Sequence, residues 1–166
     1  MIFIKNFNLP KVGFRNIKTA MAVALCMIIF DFINRDNAFF ACIAAVFCMK
    51  DTVASSVDMG KSRIIGTIIG GLLGIIVIYV SDLIPFLYNV TPLVTGLGIV
   101  IVIYICTLIQ RPGSVIISCI VFTGIMINYA SQIDSYSYAI NRSIDTLIGI
   151  IIAILLNKYF NPPQDK

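Results

Sequence analysis

Two stretches of this chain carry the same pattern of polar residues, and that pattern is suited to binding an anion. Arg63-Ile-Ile-Gly-Thr-Ile-Ile-Gly70 and Arg142-Ser-Ile-Asp-Thr-Leu-Ile-Gly149 both read R-x-I-x-T-x-I-G. In a helix the arginine, threonine and glycine share one face, because positions i, i+4 and i+7 are neighbours along a stripe. Each copy therefore aligns a cation, a hydroxyl and a point where another backbone can approach closely. A shorter version, Arg15-Asn-Ile-Lys-Thr19, opens the first apolar run.

The first copy is predicted to form an anion site through Arg63 and Thr67, and the second through Arg142 and Thr146. A guanidinium group binds a carboxylate through charge-assisted hydrogen bonds, and the threonine hydroxyl adds a donor one turn deeper. Asp145, a carboxylate within an apolar helix, is the candidate for proton coupling. An alternative interpretation remains open: each arginine is an interfacial anchor, and Asp145 pairs with Arg142 at a spacing of three residues.

Glycines within and beside these copies predict close helix packing. They form overlapping G-x-x-x-G spacings in the first copy and end the second copy: Gly66, Gly70, Gly74 and Gly149. Glycine lets the backbones of two membrane helices approach closely, so packing is the role that we expect for these positions.

The composition excludes most enzyme chemistry and most soluble folds. Of the 166 residues 59 % are apolar and 12 % are charged, whereas soluble domains carry about 45–50 % and about 25 %. The chain has no His, and all eight acids are Asp, so the commonest metal ligand and neutral-pH base is missing. Six spans of about 20 residues would leave no room for a soluble catalytic domain. We therefore expect no enzyme activity, no metal and no cofactor.

Six apolar runs predict an all-α, polytopic membrane protein with six transmembrane helices. They are Ile17–Ile33, Ala38–Met49, Ile64–Ile84, Leu93–Ile109, Val115–Ala130 and Ala139–Leu156. The second run is short, and we expect its helix to continue through Thr52–Val57 and to end at Asp58-Met-Gly60. Alternatively, the short second run and the polar sixth run do not cross the membrane, which would leave four spans.

The distribution of Lys and Arg predicts that both termini are cytosolic. With six spans, ten of the twelve basic residues fall on the inner side, and Arg35 and Arg142 fall on the outer side. The third helix then runs outward and the sixth inward, so the two copies would belong to a 3+3 inverted repeat, with Arg63 and Arg142 at opposite ends of one pathway. We expect one transmembrane domain over 1–166, comprising a cytosolic segment 1–16, a helical bundle 17–157 and a cytosolic tail 158–166.

The stretch from Ala44-Ala-Val-Phe-Cys-Met-Lys50-Asp-Thr52 to Arg63-Ile-Ile-Gly66-Thr67 resembles the signature of the aromatic acid exporter/fusaric acid resistance-like (FUSC) superfamily. The region from Tyr129 to Asn157, with Arg142 and Asp145, is similar to the last helix of that family. The resemblance implies a six-helix module of the bacterial inner membrane that exports aromatic and other weak carboxylic acids, driven by the proton gradient. Many relatives add a cytosolic C-terminal domain or a second module. We expect a single-module form without either, so that two or more copies assemble.

The expected function is proton-coupled export of aromatic or other weak organic acids across the bacterial cytoplasmic membrane by a homo-oligomer. Its expected partners are the lipid bilayer, further copies of the chain and a small organic anion, with no nucleic acid. Five aromatic residues could stack on the ring of a substrate, although each also suits a lipid-facing or core position: Phe39, Phe40, Phe47, Phe122 and Tyr129. The alternative function is a passive oligomeric channel, or a membrane scaffold or assembly subunit that transports nothing.

Overall fold

Seven α-helices make up the described part of the chain, which a computed structural model covers over residues 13–35, 37–131 and 134–160. They are α1 (Phe14–Phe32), α2 (Phe39–Cys48), α3 (Val53–Leu83), α4 (Pro85–Asn89), α5 (Thr91–Leu108), α6 (Pro112–Ala130) and α7 (Ser135–Tyr159). No strand occurs among these residues, which confirms the all-α class. Six helices correspond to the six apolar runs, and the short α4, which begins at a proline, is additional.

Four of the described helices are long and apolar enough to cross a membrane. They are α3, α5, α6 and α7, the last over Tyr136–Tyr159. α1 has 19 residues but carries Arg15, Lys18 and Asp31, and α2 has only 10 residues, whereas a span needs about 20. By length and composition the described residues therefore contain four candidate spans, and the count of six stays a prediction.

The helix that was predicted to run from Ala38 through Thr52–Val57 is interrupted in the structure. α2 ends at Cys48, and α3 begins at Val53 and continues without a break past Gly60. The prediction was wrong because Thr52 is an N-cap: its Oγ1 accepts a hydrogen bond from the backbone N of Ser55 at 3.1 Å. A threonine in extended conformation that satisfies a free amide in this way begins a helix.

Removing this cap should weaken the start of α3. We expect Thr52→Ala to lower the free energy of unfolding by about 1 kcal/mol, because one N-terminal amide loses its acceptor. For a chain of this size the loss corresponds to a decrease of about 2–4 °C in the melting temperature measured in detergent. Thr52→Ser keeps the hydroxyl and should leave the melting temperature unchanged. An equal decrease in both variants would contradict the capping role.

α7 begins four residues before the sixth apolar run. Its N-cap is Asp134, whose Oδ1 accepts hydrogen bonds from the backbone N of Tyr136 and of Ser137, both at 3.1 Å. Ser137 Oγ also donates to Asp134 Oδ2 at 2.6 Å, and these bonds hold the pKa of the Asp134 carboxyl below its usual value. Because the helix starts early, Arg142 lies about two turns inside it rather than at its end.

Buried apolar side chains form two clusters, and each combines helices from distant parts of the chain. The first cluster lies between α1, α2 and α7 and includes Ala44 and Ala153. The second lies mainly between α3, α5 and α6 and includes Val102 and Phe122. α3 also packs against α7, which joins the two clusters. The last helix therefore completes the core of α1 and α2, and α3 completes the core of α5 and α6.

A stripe of glycines brings α3 close to α6. A Cβ added at Gly66 would lie 2.8 Å from the carbonyl oxygen of Ser114, and one added at Gly70 would overlap the carbonyl oxygen of Ser118. Gly74 meets α6 one turn further along. The spacing of four keeps all three glycines on one face of α3, so the two helices approach along three turns.

The second copy of the pattern has a corresponding contact on another helix. A Cβ added at Gly149 of α7 would overlap the backbone of Ala41 in α2. Gly70 and Gly149 hold the same place in the two copies, so each copy approaches a neighbouring helix at the same position. Gly71, the neighbour of Gly70, faces open space.

Candidate anion-binding site

Two buried arginines lie against one face of α2. Arg63 of α3 is 3 % exposed and Arg142 of α7 is 5 % exposed. The guanidinium carbon of Arg63 lies 5.1 Å from the centroid of the Phe47 ring, and that of Arg142 lies 3.9 Å from the centroid of the Phe40 ring. Phe40 and Phe47 are two turns, or about 10 Å, apart along α2. α2 therefore holds both cations on aromatic rings through cation–π contacts.

Neither guanidinium group has enough hydrogen-bond acceptors around it. Among the described residues, Nε and Nη1 of Arg63 and Nε of Arg142 are buried without an acceptor. Arg142 Nη1 donates to the hydroxyl of Tyr138 at 3.2 Å, and neither arginine forms a salt bridge with a described carboxylate. The two charges also repel each other. A buried cation without a counter-ion costs several kcal/mol, so both groups are available to an anion.

The threonines of the two copies share one small cavity. Thr67 of α3 and Thr146 of α7 line a cavity of about 90 Å³ together with Ser143 and apolar side chains. Thr67 Oγ1 is buried and has no hydrogen-bond partner among the described residues. The sequence suggested two sites at opposite mouths of a pathway, whereas the structure brings the two threonines together where α3 packs on α7. The two copies thus meet at one small cavity, whose lining is mainly apolar.

A larger cavity adjoins Arg142. Its volume is about 420 Å³, and it is lined by Phe40, Tyr138 and Arg142 and by residues of α6 between Cys119 and Ile127. Arg142 is the one charged residue of this lining, and the α6 residues make most of it apolar. Such a combination, apolar walls with a few placed polar groups, is typical of sites for small organic ligands.

The five aromatic candidates occupy different environments. The Phe40 ring contacts the guanidinium group of Arg142, and the Phe47 ring contacts that of Arg63. Phe40 also lines the cavity beside Arg142. Phe39 is exposed, and Phe122 is fully buried in the cluster between α3, α5 and α6. The Tyr129 hydroxyl donates to an exposed carboxylate. Phe40 is therefore the candidate that is best placed to contact a ligand at Arg142.

Asp145 pairs with Arg35 rather than with Arg142. Arg35 Nε lies 2.8 Å from Asp145 Oδ1, and Arg35 Nη2 donates to Asn141 Oδ1 at 2.9 Å. The alternative pairing with Arg142 does not occur, because Arg35, in the turn after α1, forms the salt bridge with this carboxylate. A pocket of about 330 Å³ beside this ion pair is lined by Arg35, Asn141, Asp145 and two asparagines of the turn.

A second buried polar cluster lies at the other end of α7 and was not predicted. Lys18 Nζ donates to Asn157 Oδ1 at 3.0 Å, and both side chains are buried. Asn157 Nδ2 donates to the carbonyl oxygen of Lys50 at 3.0 Å and to Ser56 Oγ at 2.8 Å. One side chain thus joins α1, the α2–α3 turn and α7. The sequence signal was an asparagine near the end of an apolar helix, where a buried amide needs partners.

The interior therefore offers cations, hydroxyl groups and aromatic rings. No group of three or more His, Cys, Asp or Glu side chains is placed to hold a metal ion in the part of the chain that the structure describes. Guanidinium groups recognise carboxylates, and aromatic walls suit a planar ring. Residues 10–160 match the model of a family described as aromatic acid exporter family member 1. The chain belongs to the aromatic acid exporter family.

Relatives of this member of the aromatic acid exporter family occur in bacteria. UPF0421 protein YgaE of Bacillus subtilis (strain 168) is 27 % identical over 158 residues, which cover 93 % of this chain and 41 % of the relative. UPF0421 protein SERP1427 of Staphylococcus epidermidis is 27 % identical over 157 residues, which cover 92 % and 44 %. The chain thus spans less than half the length of these curated relatives. No solved structure matches it.

Membership of the aromatic acid exporter family and the apolar helices together define a transmembrane protein of a transport family. The family is described by export rather than by catalysis, which agrees with a role other than that of an enzyme. Membrane localisation follows from the same two findings.

Proposed function

We propose that the chain is a transport module that exports small carboxylates, aromatic acids first among them, across the bacterial cytoplasmic membrane. The observation that carries this proposal is the pair of buried arginines, Arg63 and Arg142: Nε and Nη1 of the first and Nε of the second are buried without an acceptor among the described residues. One carboxylate can offer two acceptors to one guanidinium group in a parallel, planar geometry. Binding an organic anion would therefore offset the cost of burying each cation.

Arg142 is the better placed of the two arginines for an aromatic acid. Its cavity of about 420 Å³ has room for a single ring, which would lie between Phe40 and the apolar wall of α6 while the carboxylate meets Arg142 Nε. Arg63 of α3 contacts α2 two turns away from Arg142, and it would be the second binding site for the anion. Thr67 and Thr146 line the small cavity where α3 meets α7 and would supply hydroxyl groups to the passing carboxylate.

Asp145 is the group whose charge would respond to protons. It is 5 % exposed, lies one turn from Arg142 on α7, and is held by Arg35. A change in the charge of Asp145 alters the electrostatic potential at Arg142. Binding of a proton to Asp145 therefore changes the affinity of Arg142 for an anion, and binding of the anion changes the affinity of Asp145 for the proton. This linkage supports coupling of transport to the proton gradient.

The packing of the helices supports a 3+3 inverted repeat with six spans. If α1, α2 and α3 correspond to α5, α6 and α7, then each buried cluster contains two helices of one repeat and the third helix of the other. Under the same correspondence the contact of α3 with α6 is equivalent to the contact of α7 with α2, and both contacts are present. In this arrangement α1 and α2 are the first and second spans, both termini are cytosolic, and further copies of the chain complete the transporter.

Flux measurements test the function. Purified protein in lipid vesicles would be supplied with radiolabelled benzoate at a pH well above the pKa of the acid, and uptake by empty vesicles would be subtracted. We expect accumulation against the benzoate gradient only when a pH gradient is imposed. Downhill leak that ignores the pH gradient would support a passive channel, and no flux would support a scaffold; either result overturns coupled export.

Asp145→Asn should separate transport from its coupling. Because an amide cannot exchange a proton, we expect downhill benzoate flux to persist while accumulation driven by the pH gradient is lost. Asp31→Asn, at an exposed position of α1, is the matched control and should behave as the unmodified protein. Accumulation by Asp145→Asn at the unmodified level would exclude this carboxylate from coupling and leave the anion site itself in place.

A further inference from the structure

A long groove runs along the outer face of α1, apart from the cavity beside Arg142. It is lined by one face of α1 from Arg15 to Met27, and by the end of α2 and the turn that follows it, from Val46 to Lys50. Its volume is about 810 Å³. The two cations lie together at one end, and the rest of its length is lined mainly by Ala, Val and Met side chains. The groove is therefore amphipathic along its axis.

The length and the charge of the groove indicate what kind of molecule it can bind. From Arg15 to Met27 α1 rises about 18 Å, which is close to one leaflet of a hydrocarbon core about 30 Å thick. A single-ring organic acid would fill only part of this length, whereas an acyl chain would fill all of it. We propose that the groove binds an anionic phospholipid, with the phosphate at Arg15 and Lys50 and one acyl chain along α1.

The charged end of the groove retains an excess of positive charge. Arg15 Nη1 lies 3.3 Å from Asp51 Oδ1 in an exposed salt bridge, and Lys50 forms no salt bridge with a described carboxylate. Two cations thus face one carboxylate. Exposed ion pairs are weak, so a lipid phosphate can compete with Asp51 for Arg15. Basic side chains at a membrane surface attract anionic lipids, and the attraction falls off within a Debye length of the headgroups, about 8–10 Å at ordinary salt concentrations.

The groove also contacts the buried anion site through one ring. Phe47 lines the groove, and its ring supports the Arg63 guanidinium group at 5.1 Å. An acyl chain in the groove therefore packs against the residue that positions Arg63. A bound lipid could therefore affect the position of Arg63 through Phe47. Binding of the lipid does not depend on whether the chain transports carboxylates.

Native mass spectrometry of the purified protein tests the proposal, with phosphatidylglycerol and phosphatidylcholine of identical acyl chains as probes. We expect phosphatidylglycerol to bind more tightly, and the double variant Arg15→Gln/Lys50→Gln to lose about 25-fold in affinity, about fivefold for each charge. The matched control Lys61→Gln/Lys158→Gln removes two exposed cations outside the groove and should retain the affinity.

Asp51→Asn should change the affinity in the opposite direction. Because it removes the carboxylate that competes for Arg15, we expect tighter binding of phosphatidylglycerol by about fivefold. A gain of affinity cannot arise from misfolding, so this variant keeps the proposal falsifiable if the double variant fails to fold. Equal binding of the two lipids by the unmodified protein, or no response to any of these charge changes, would overturn it.

A change inside the groove tests the position of the acyl chain. Ala24 lines the groove and Leu25 does not, so Ala24→Phe should displace the lipid whereas Leu25→Phe should not. We expect at least about a fivefold loss of phosphatidylglycerol affinity for Ala24→Phe alone. If Ala24→Phe instead converted a dimer into a monomer with lipid binding unchanged, a second copy of the chain would cover the groove and the lipid proposal would be wrong.

Discussion

Transport of an aromatic carboxylate is expected to fall about 100-fold or more in kcat/KM when Arg142 is replaced by alanine. The guanidinium group is buried, lies 3.9 Å above the Phe40 ring and has no described acceptor at Nε, so its charge is available to a bound carboxylate. Removing one partner of a buried ionic contact costs about 3–5 kcal/mol, which corresponds to a factor between about one hundred and several thousand. Initial rates of benzoate flux in proteoliposomes measure the effect.

The stability of the same variant separates a binding role from a structural one. Because Arg142→Ala removes a buried charge that forms no salt bridge with a described carboxylate, we expect the melting temperature in detergent to stay the same or to rise. Arg142→Lys keeps the charge but loses the planar fork and should retain only part of the flux. Arg111→Ala, at an exposed arginine 3.8 Å from Asp58, is the matched control.

Two outcomes would contradict this role. Wild-type flux in Arg142→Ala would show that the cation does not hold the substrate. A loss of flux that only parallels a lower melting temperature would show that Arg142 is part of the structure alone. Arg63→Ala is expected to act in the same direction as Arg142→Ala, because Arg63 is equally buried and has two guanidinium nitrogens without acceptors among the described residues.

Gly70→Ala is expected to destabilise the protein by about 2–3 kcal/mol. The added Cβ would overlap the carbonyl oxygen of Ser118 in α6, and backbone cannot move aside as a flexible side chain can. Forcing extra atoms into a close-packed contact costs about 1–3 kcal/mol or more, and here α3 and α6 must separate along the glycine stripe. We expect the melting temperature in detergent to fall by about 4–10 °C.

The adjacent glycine supplies the control for this prediction. Gly71 has nothing within 4 Å of an added Cβ, so Gly71→Ala should leave the melting temperature unchanged or raise it slightly, since alanine is the better helix former. Gly149→Ala should behave as Gly70→Ala does, because its Cβ would overlap the backbone of Ala41. Equal melting temperatures for Gly70→Ala and Gly71→Ala would show that α3 and α6 are not held at this separation.

The repeated pattern of arginine, threonine and glycine was accessible from sequence because helical spacing fixes which residues share a face. The shared face predicts that Arg63 and Thr67 point in one direction, and the structure has both side chains buried. The spacing in the sequence does not reveal which helix packs against this face. That Thr67 and Thr146 line the same cavity depends on how α3 packs against α7, which is a property of the tertiary structure.

Partners that are distant in the chain explain the remaining differences. Arg142 was the one partner considered for Asp145 because spacing along one helix is visible in a sequence, whereas Arg35 lies more than 100 residues away and meets the carboxylate only after folding. The link between Lys18 and Asn157 is of the same kind. The break between α2 and α3 was different, since it depends on local capping by Thr52, a signal that was present and was outweighed by the apolar run before it.

Because α7 packs against α2, the core around α2 is completed only late in the synthesis of this protein. The buried alanines of α2 at positions 41, 44 and 45 are covered largely by α7, yet α2 leaves the ribosome long before α7. From Cys48 to Ser135 lie roughly 90 residues, which take roughly 5–20 s to translate at about 5–20 residues per second. Throughout that interval the buried face of α2 lacks the helix that covers it. A message truncated before the codon for Ser135 would therefore deliver an incompletely packed protein to the quality-control proteases of the membrane.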